Sequence, residues 1–382
     1  FHRDLGLIAM SKRISRRRFL KHSQAGILGL STFGLVSLGC NSRASGQLKT
    51  NVPAEKLITD LQQQIPQLMQ RSGVPGVAVA VVRDREILWS RGFGVKNTDS
   101  GQPVNENTVF AAASLSKPVL AYAAMKLYER GELDLDAPLT NYTAKPYISD
   151  PRIWKISARL VLSHTTGFPN WSGDDPVWID FTPGSKFSYS SEGFLYLQSV
   201  IELITRQPFN EYVTRNVFAP LGMTNSSYIW RSSFQSLAAN GHDRDGVPFP
   251  VGKPSQANGA GSLRTTATDY AKFLIAMMEP AVNDPFRLNE QSLEIMLQQN
   301  SRISQSLGWG LGWGLERTND GDFFWHWGDS GIFKSFTLGS KRSKTGMVIL
   351  TNSENGLRIC ENIVRLAIGG QHPAFSFSMI DY

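Results

Sequence analysis

The chain has 382 residues, 41% hydrophobic and 19% charged, which is ordinary globular composition and enough length for one two-lobed catalytic unit or two modest domains. Its formal net charge of +7 points toward a polyanionic partner, yet residues 1–48 hold eight of the basic residues against Asp4 alone. The rest balances at 31 bases and 31 acids, so composition makes no case for nucleic acid or an acidic surface as a partner.

The basic leader reads as an export signal. Ser15-Arg16-Arg17-Arg18-Phe19-Leu20-Lys21 resembles the twin-arginine pattern, and a weakly apolar stretch from Ala25 to Leu38 follows. That stretch is shorter than the roughly 20 residues a membrane-spanning helix needs. Leu38-Gly39-Cys40 is the kind of site at which a cysteine is lipidated after cleavage, although Ser37 stands where such signals usually carry leucine. The expectation is a signal and linker over 1–48 and a periplasmic or membrane-anchored protein, with membrane contact only through the signal or a lipid on Cys40. Cys360 would then be single, so no structural disulfide is expected.

Beyond a polar linker, Leu57, Ile58, Leu61, Ile65 and Leu68 fall at helical spacing, which predicts a helix over about 54–70 that Gly73 to Gly76 ends. Val77 to Val82 is a buried strand by composition, and the turn at Asp84-Arg85 makes a hairpin with 87–92. Pro118 is tolerated only in the first turn of a helix, so the helix carrying Leu120, Ala123, Ala124 and Leu127 should begin near Ser114 and end at Gly131. From 132 to 300 the chain is loop-rich, with candidate helices near 192–206, 209–217, 266–279 and 290–299. Strands are expected at 323–327, 333–340 and 345–351, then a helix over 355–368. Strands at both ends with helices between predict an α+β fold: an antiparallel sheet built from both termini, flanked by helices, with a mostly helical lobe inserted. The α/β lobe is assigned to about 49–125 and 305–382, the helical lobe to about 126–304.

Ser114-Leu115-Ser116-Lys117 carries the chemistry. A serine three residues before a lysine puts hydroxyl and amine on one helical face, where the amine eases removal of the serine proton. The helix mouth adds a dipole that favours a developing alkoxide. S-x-x-K alone is a weak signal, and its weight comes from the ordered company of Tyr189-Ser190-Ser191 and His326-Trp327-Gly328.

With Gly73-Val74-Pro75-Gly76, Leu162-Ser163-His164-Thr165-Thr166-Gly167, Pro220-Leu221-Gly222-Met223 and Gly259-Ala260-Gly261-Ser262-Leu263, this order resembles the serine β-lactamase and penicillin-binding-protein superfamily, class C-like branch, over nearly all of 54–368. The resemblance implies a β-lactamase/transpeptidase-like fold and an acyl-enzyme at Ser114. Lys117 would hold Tyr189 partly ionised, so that phenolate or amine takes the serine proton. The backbone amides of Ser114 and Asp329 would hold the oxyanion, Gly328 would leave room for substrate beside the strand, and His326 would stand where lysine is more familiar. Ser191 replaces the usual asparagine of the second motif, and a hydroxyl carries one donor where a carboxamide donates and accepts. That puts efficient β-lactam recognition in doubt and leaves ester or amide hydrolysis of a small molecule, a D,D-peptide or another peptidoglycan peptide. No cofactor is implied, and the scattered histidines offer no metal set.

Two other readings stand beside this one. A non-catalytic module that binds or senses cell-wall peptides would retain the cleft, though it has no need for Ser114, Lys117 and Tyr189 together. Gly328-Asp329-Ser330-Gly331 also reads like the nucleophile segment of a chymotrypsin-like protease using Ser330, a fold of two barrels with few helices. His164 is read as a structural residue pinning the turn that ends at Gly167.

Overall fold

The computed structural model describes residues 48–282 and 284–379, so the leader pattern and Cys40 lie outside the described residues. Helix α1 (Ala54–Ser72) leads into the hairpin of β1 (Gly76–Arg83) and β2 (Glu86–Gly94). Its turn is Asp84-Arg85 as expected, with both residues in the left-handed region at φ 54° and 63°. A short strand, β3 (Phe110–Ala111), precedes the 3-10 turn Ala113–Leu115 and helix α2 (Ser116–Glu129). Gly131 closes that helix at φ 70°, its amide donating to Tyr128 O at 2.9 Å.

The middle of the chain contributes α3 (Ala158–Leu162), α4 (Glu192–Thr205), α5 (Phe209–Val213) and α6 (Phe234–Leu237). Strand β4 (Arg264–Thr265), α7 (Ala267–Met278) and α8 (Glu290–Leu297) follow. The helix expected over 209–217 is α5 running into a π-helical stretch, Thr214–Phe218. Strands β5 (Ser301–Arg302), β6 (Leu307–Trp309), β7 (Gly314–Thr318), β8 (Gly321–Asp329), β9 (Lys334–Ser340) and β10 (Thr345–Thr351) then lead to α9 (Leu357–Ala367). The Gly-Trp-Gly segments at 308–314, predicted as no particular element, thus end β6, make the turn and open β7, inside the outermost strand β5.

Eight strands form one antiparallel sheet in the order β2-β1-β10-β9-β8-β7-β6-β5, so both ends of the chain build it. Side chains of β1 alternate between two cores. Ala78, Ala80 and Val82 pack with α2, α4 and α7, whereas Val77, Val79 and Val81 pack with α1 and α9. Each valine buried this way contributes about 1.5–3 kcal/mol of apolar transfer. Helix α7 lies against β1, β2, β9 and β10. The lobe boundary drawn at 304 placed it in the inserted helical part, and the structure moves it onto the sheet. The reason is its apolar face: Tyr270, Phe273, Leu274 and Met277 are fully buried.

Candidate active site

The nucleophile candidate is held by its backbone. Ala113 adopts φ 48°, an uncommon conformation for a residue with a Cβ, and four side chains secure the turn around it. Ser335 Oγ donates to Ala112 O at 2.9 Å and Ser116 Oγ to Ala113 O at 2.6 Å. Tyr270 OH donates to Leu115 O at 2.9 Å and Tyr228 OH to Ser116 O at 2.7 Å. Ser114 is the half-exposed residue between buried Ala113 and Leu115. It occupies the 3-10 turn just before α2, at the helix mouth, as the position of Pro118 predicts.

Lys117 is fully buried on the first turn of α2, with Nζ 3.0 Å from Ser114 Oγ and donating to Ala260 O at 2.9 Å. Burial with no carboxylate beside it holds the amine well below the usual lysine range. A neutral amine has one lone pair, and with an N–H spent on Ala260 that lone pair is available to the Ser114 hydroxyl.

Tyr189 lies over the same group, its ring centroid 4.9 Å from Lys117 Nζ. Burial pushes its phenol upward, and the neighbouring Ser114 hydroxyl pulls it back only in part. No hydrogen bond of ordinary geometry closes on the phenol oxygen. Desolvation acts on both groups toward their neutral forms, which does not support the expectation that Lys117 keeps Tyr189 partly ionised; of the two expected proton acceptors it favours the amine over the phenolate.

Strand β8 supplies the third side. β7 ends its pairing at Gly314 opposite Trp325, so His326 to Asp329 are paired only with β9. Ser330 N–H donates to Phe333 O across the hairpin, which by antiparallel alternation turns the Gly328 amide to β9 and the Asp329 amide to the open edge. The Asp329 carboxylate instead binds Gly331 N–H at 2.7 Å and Lys334 Nζ at 2.6 Å. Gly328 is required for a different reason from the one predicted: a Cβ there would stand 2.2 Å from Ser335 Oγ and 2.4 Å from Ala112 O. The room it leaves is taken by the nucleophile turn, not by substrate.

Two predicted residues point elsewhere. Ser191 is buried at the start of α4, and its Oγ and N–H both donate to Asn170 Oδ1, at 2.9 and 3.2 Å. Its hydroxyl hydrogen is directed at Asn170 in this arrangement. Asn170, half-exposed beside it, is a site neighbour that sequence reasoning missed, because nothing in the sequence links it to a residue 21 positions on. His326 is fully buried, with Nδ1 2.7 Å from Trp327 O, and burial first and Lys117 second push it down to about 3. It is a neutral ring, with no cation to offer where lysine would.

His164 holds a structural place in the turn that follows α3, at φ 55° with its amide donating to Val161 O at 3.0 Å. Its side chain also reaches the site: Nδ1 accepts the Ser190 N–H at 3.0 Å and the ring stacks on Tyr189 at 4.2 Å. Ser330 sits exposed at the tip of the β8–β9 hairpin, and the single mixed sheet-and-helix fold excludes the two-barrel protease reading.

Comparisons with known proteins agree with this geometry. The sequence profile of the family described as Beta-lactamase matches residues 61–367. Protein flp of Staphylococcus aureus is 23% identical over 328 residues, covering 78% of this chain and 64% of its own length. Esterase EstB of Burkholderia gladioli is 28% identical over 240 residues, covering 53% of this chain. The chain thus spans less than two thirds of these relatives, 61% in the case of EstB. A solved class C beta-lactamase superposes with a TM-score of 0.74 at 19% identity, over 83% of this chain and 97% of that one, which establishes the fold. With most of its length matched by the family profile and the same fold, the chain belongs to the beta-lactamase family.

Proposed function

We propose that this protein is a serine hydrolase that forms an acyl-enzyme at Ser114 and acts on uncharged esters. The observation that carries the reading is the buried Lys117 amine 3.0 Å from Ser114 Oγ, with no acid beside it to keep it protonated. Ser114 Oγ attacks the ester carbonyl while its proton passes to Lys117 Nζ. The tetrahedral oxyanion is held by the backbone amides of Ser114 and Asp329. Tyr189 OH protonates the departing alkoxide and is reprotonated from the Lys117 ammonium, and water releases the acid by the same steps in reverse.

The preference for uncharged esters rests on charge. A C-terminal D,D-peptide or a β-lactam brings a carboxylate. Lys334 on β9 is already neutralised by Asp329, and His326 is a neutral ring. Lys117 is needed uncharged. The esterase among the relatives supports the same choice. Export through the leader, with a small-molecule substrate met outside the cytoplasm, belongs to the same proposal.

The test is intact-mass analysis of residues 49–382 after exposure to a fluorophosphonate and, separately, to penicillin, with peptide mapping and a p-nitrophenyl butyrate assay. The expected result is a fluorophosphonate adduct on Ser114, ester turnover abolished in Ser114→Ala, and little or no stable penicilloyl adduct. No adduct on folded protein would move the reading to a non-catalytic binder of cell-wall peptides. Long-lived penicillin acylation would move it to the D,D-peptidases.

A further inference from the structure

Behind Tyr189 the structure gathers buried polar atoms that no described residue satisfies. His164 Nε2, His326 Nε2 and Trp309 Nε1 are sealed from solvent and have no hydrogen-bond partner among the described residues. They belong to one knot of rings. The Trp309 centroid lies 5.1 Å from that of His164 and 5.4 Å from that of His326, and Tyr189 touches all three. Isolated buried polar groups of this kind each cost free energy unless something pairs with them.

The tautomers follow from the other ring nitrogen in each case. His164 Nδ1 accepts the Ser190 N–H, so the proton of the neutral ring sits on Nε2. His326 Nδ1 faces Trp327 O, which only accepts, so its proton sits on Nδ1 and Nε2 carries a lone pair. Burial and the neighbouring Lys117 push both rings toward the neutral form. Beside the Tyr189 hydroxyl, which faces the Ser114 side, the unsatisfied set is therefore two donors, His164 Nε2–H and Trp309 Nε1–H, and one acceptor, His326 Nε2. A water molecule accepts two hydrogen bonds and donates to a third partner, and buried waters typically make about three such bonds.

We propose that His164, Trp309 and His326 enclose one ordered water, and that this water ties the tyrosine segment to the oxyanion strand. Its two histidine partners each hold a piece of site backbone. His164 fixes the amide of Ser190, next to Tyr189, and His326 fixes the carbonyl of Trp327, two residues before Asp329. Both are positioning residues: neither touches the Ser114 hydroxyl. The water makes the two backbones one unit, so that the phenol and the Asp329 amide keep their places relative to Ser114. The catalytic consequence rests on the hydrolase reading, but the water and the tautomers do not.

The test on the unaltered protein is a high-resolution crystal structure together with imidazole 15N NMR. Expected are one water bonded to the three named atoms, His164 in the Nε2–H form and His326 in the Nδ1–H form, with neither ring titrating between pH 5 and 8. A dry gap, a direct bond between the two histidines, the reverse tautomers or titration in that range would overturn the proposal. His326→Asn places an amide donor at the Nδ1 position and deletes the water's acceptor. The expected changes are a shift of the Trp309 indole N–H resonance and about a tenfold fall in kcat at unchanged KM. An unmoved indole resonance in that variant would overturn the water bridge whatever the activity does. A moved resonance with kcat unchanged would keep the water and overturn its positioning role. Should His326→Asn fail to fold, a crystal structure of His164→Gln, which keeps the Nε2-like donor and releases Ser190, takes its place: the water is expected to remain on Trp309 Nε1 and His326 Nε2, and its absence from those atoms would overturn the proposal.

Discussion

The turn that carries Ser114 and the loop from Tyr147 to Lys186 are built to opposite rules. In the turn, the carbonyls of 112, 113, 115 and 116 each receive a side-chain hydroxyl, and the strain of Ala113 is held in place from four directions. In the loop, Tyr147, Trp154, Trp171 and Trp178 leave 37–57% of their surface in solvent. The contrast separates two tasks. The bond-making group is fixed before any substrate arrives, whereas the exposed aromatic surface has few partners of its own to hold it.

The sharpest way to break the comparison is Lys117→Arg. An arginine stays protonated in the same buried place, so the turn would keep its bracing and lose its base. Ester kcat/KM should fall roughly 10³-fold with the fold intact by circular dichroism. A small effect would mean that Tyr189, not the amine, takes the proton.

Gly328→Ala tests the bracing itself. The added carbon would collide with Ser335 Oγ and Ala112 O, and a destabilisation of about 2–3 kcal/mol is expected in a denaturant titration, with loss of acylation. Unchanged stability would show that the turn yields more than its hydrogen bonds suggest.

Acid offers a third probe. His326 is pushed down to about 3 in the folded protein against an ordinary 6.5, because burial and then Lys117 disfavour its charge; Tyr189, Trp309 and Trp327 pack against it, and His164 lies close enough for the two rings to feel each other's charge. Below 6.5 the unfolded chain takes up a proton that the native ring refuses. Stability contributed by the neutral ring is therefore full above 6.5 and lost as pH falls toward 3, by about 5 kcal/mol at most. His164, pushed down for the same reason, adds to the loss. His326→Asn should flatten the acid limb of a Tm-against-pH curve, and an unchanged limb would place the acid sensitivity elsewhere. The smallest effect is expected in the loop: Trp171→Ala should change stability by about 0.5 kcal/mol or less while altering KM among esters of different acyl length.

Much of the architecture was legible because its signals are local. Helical spacing gave α1, α4, α7 and α9 to within a few residues, a branched apolar run gave β1, and β9 and β10 fall where strands were expected at 333–340 and 345–351. Asp84-Arg85 fixed the hairpin, and Pro118 fixed where α2 begins. Ser114 and Lys117 were legible for the same reason, being three residues apart on one turn. What escaped was non-local or dictated by tertiary context. Ala113 takes a conformation its side chain disfavours because Ser116 and three partners from distant segments hold the turn. The pairs His164–Tyr189 and Asn170–Ser191 join residues brought together only by the packing of α4 on its preceding loop. Strands β6 and β7, joined by the turn that holds Trp313, lack a readable alternation because Trp309 and Trp313 are both fully buried.

Strand β1 pairs with β10 from Val77 opposite Thr351 to Val82 opposite Gly346, and Leu48 bridges to Gly369. The strand made among the first is therefore completed among the last. Until β10 emerges, the apolar run Val77–Val82 has only β2 beside it and presents an unpaired edge to any other chain. Loop closure over such a separation is slow, and the exposed edge is a template for association while it waits. Fragments ending before Thr345 should aggregate during synthesis, whereas chains extending past Thr351 can close the sheet and bury that edge.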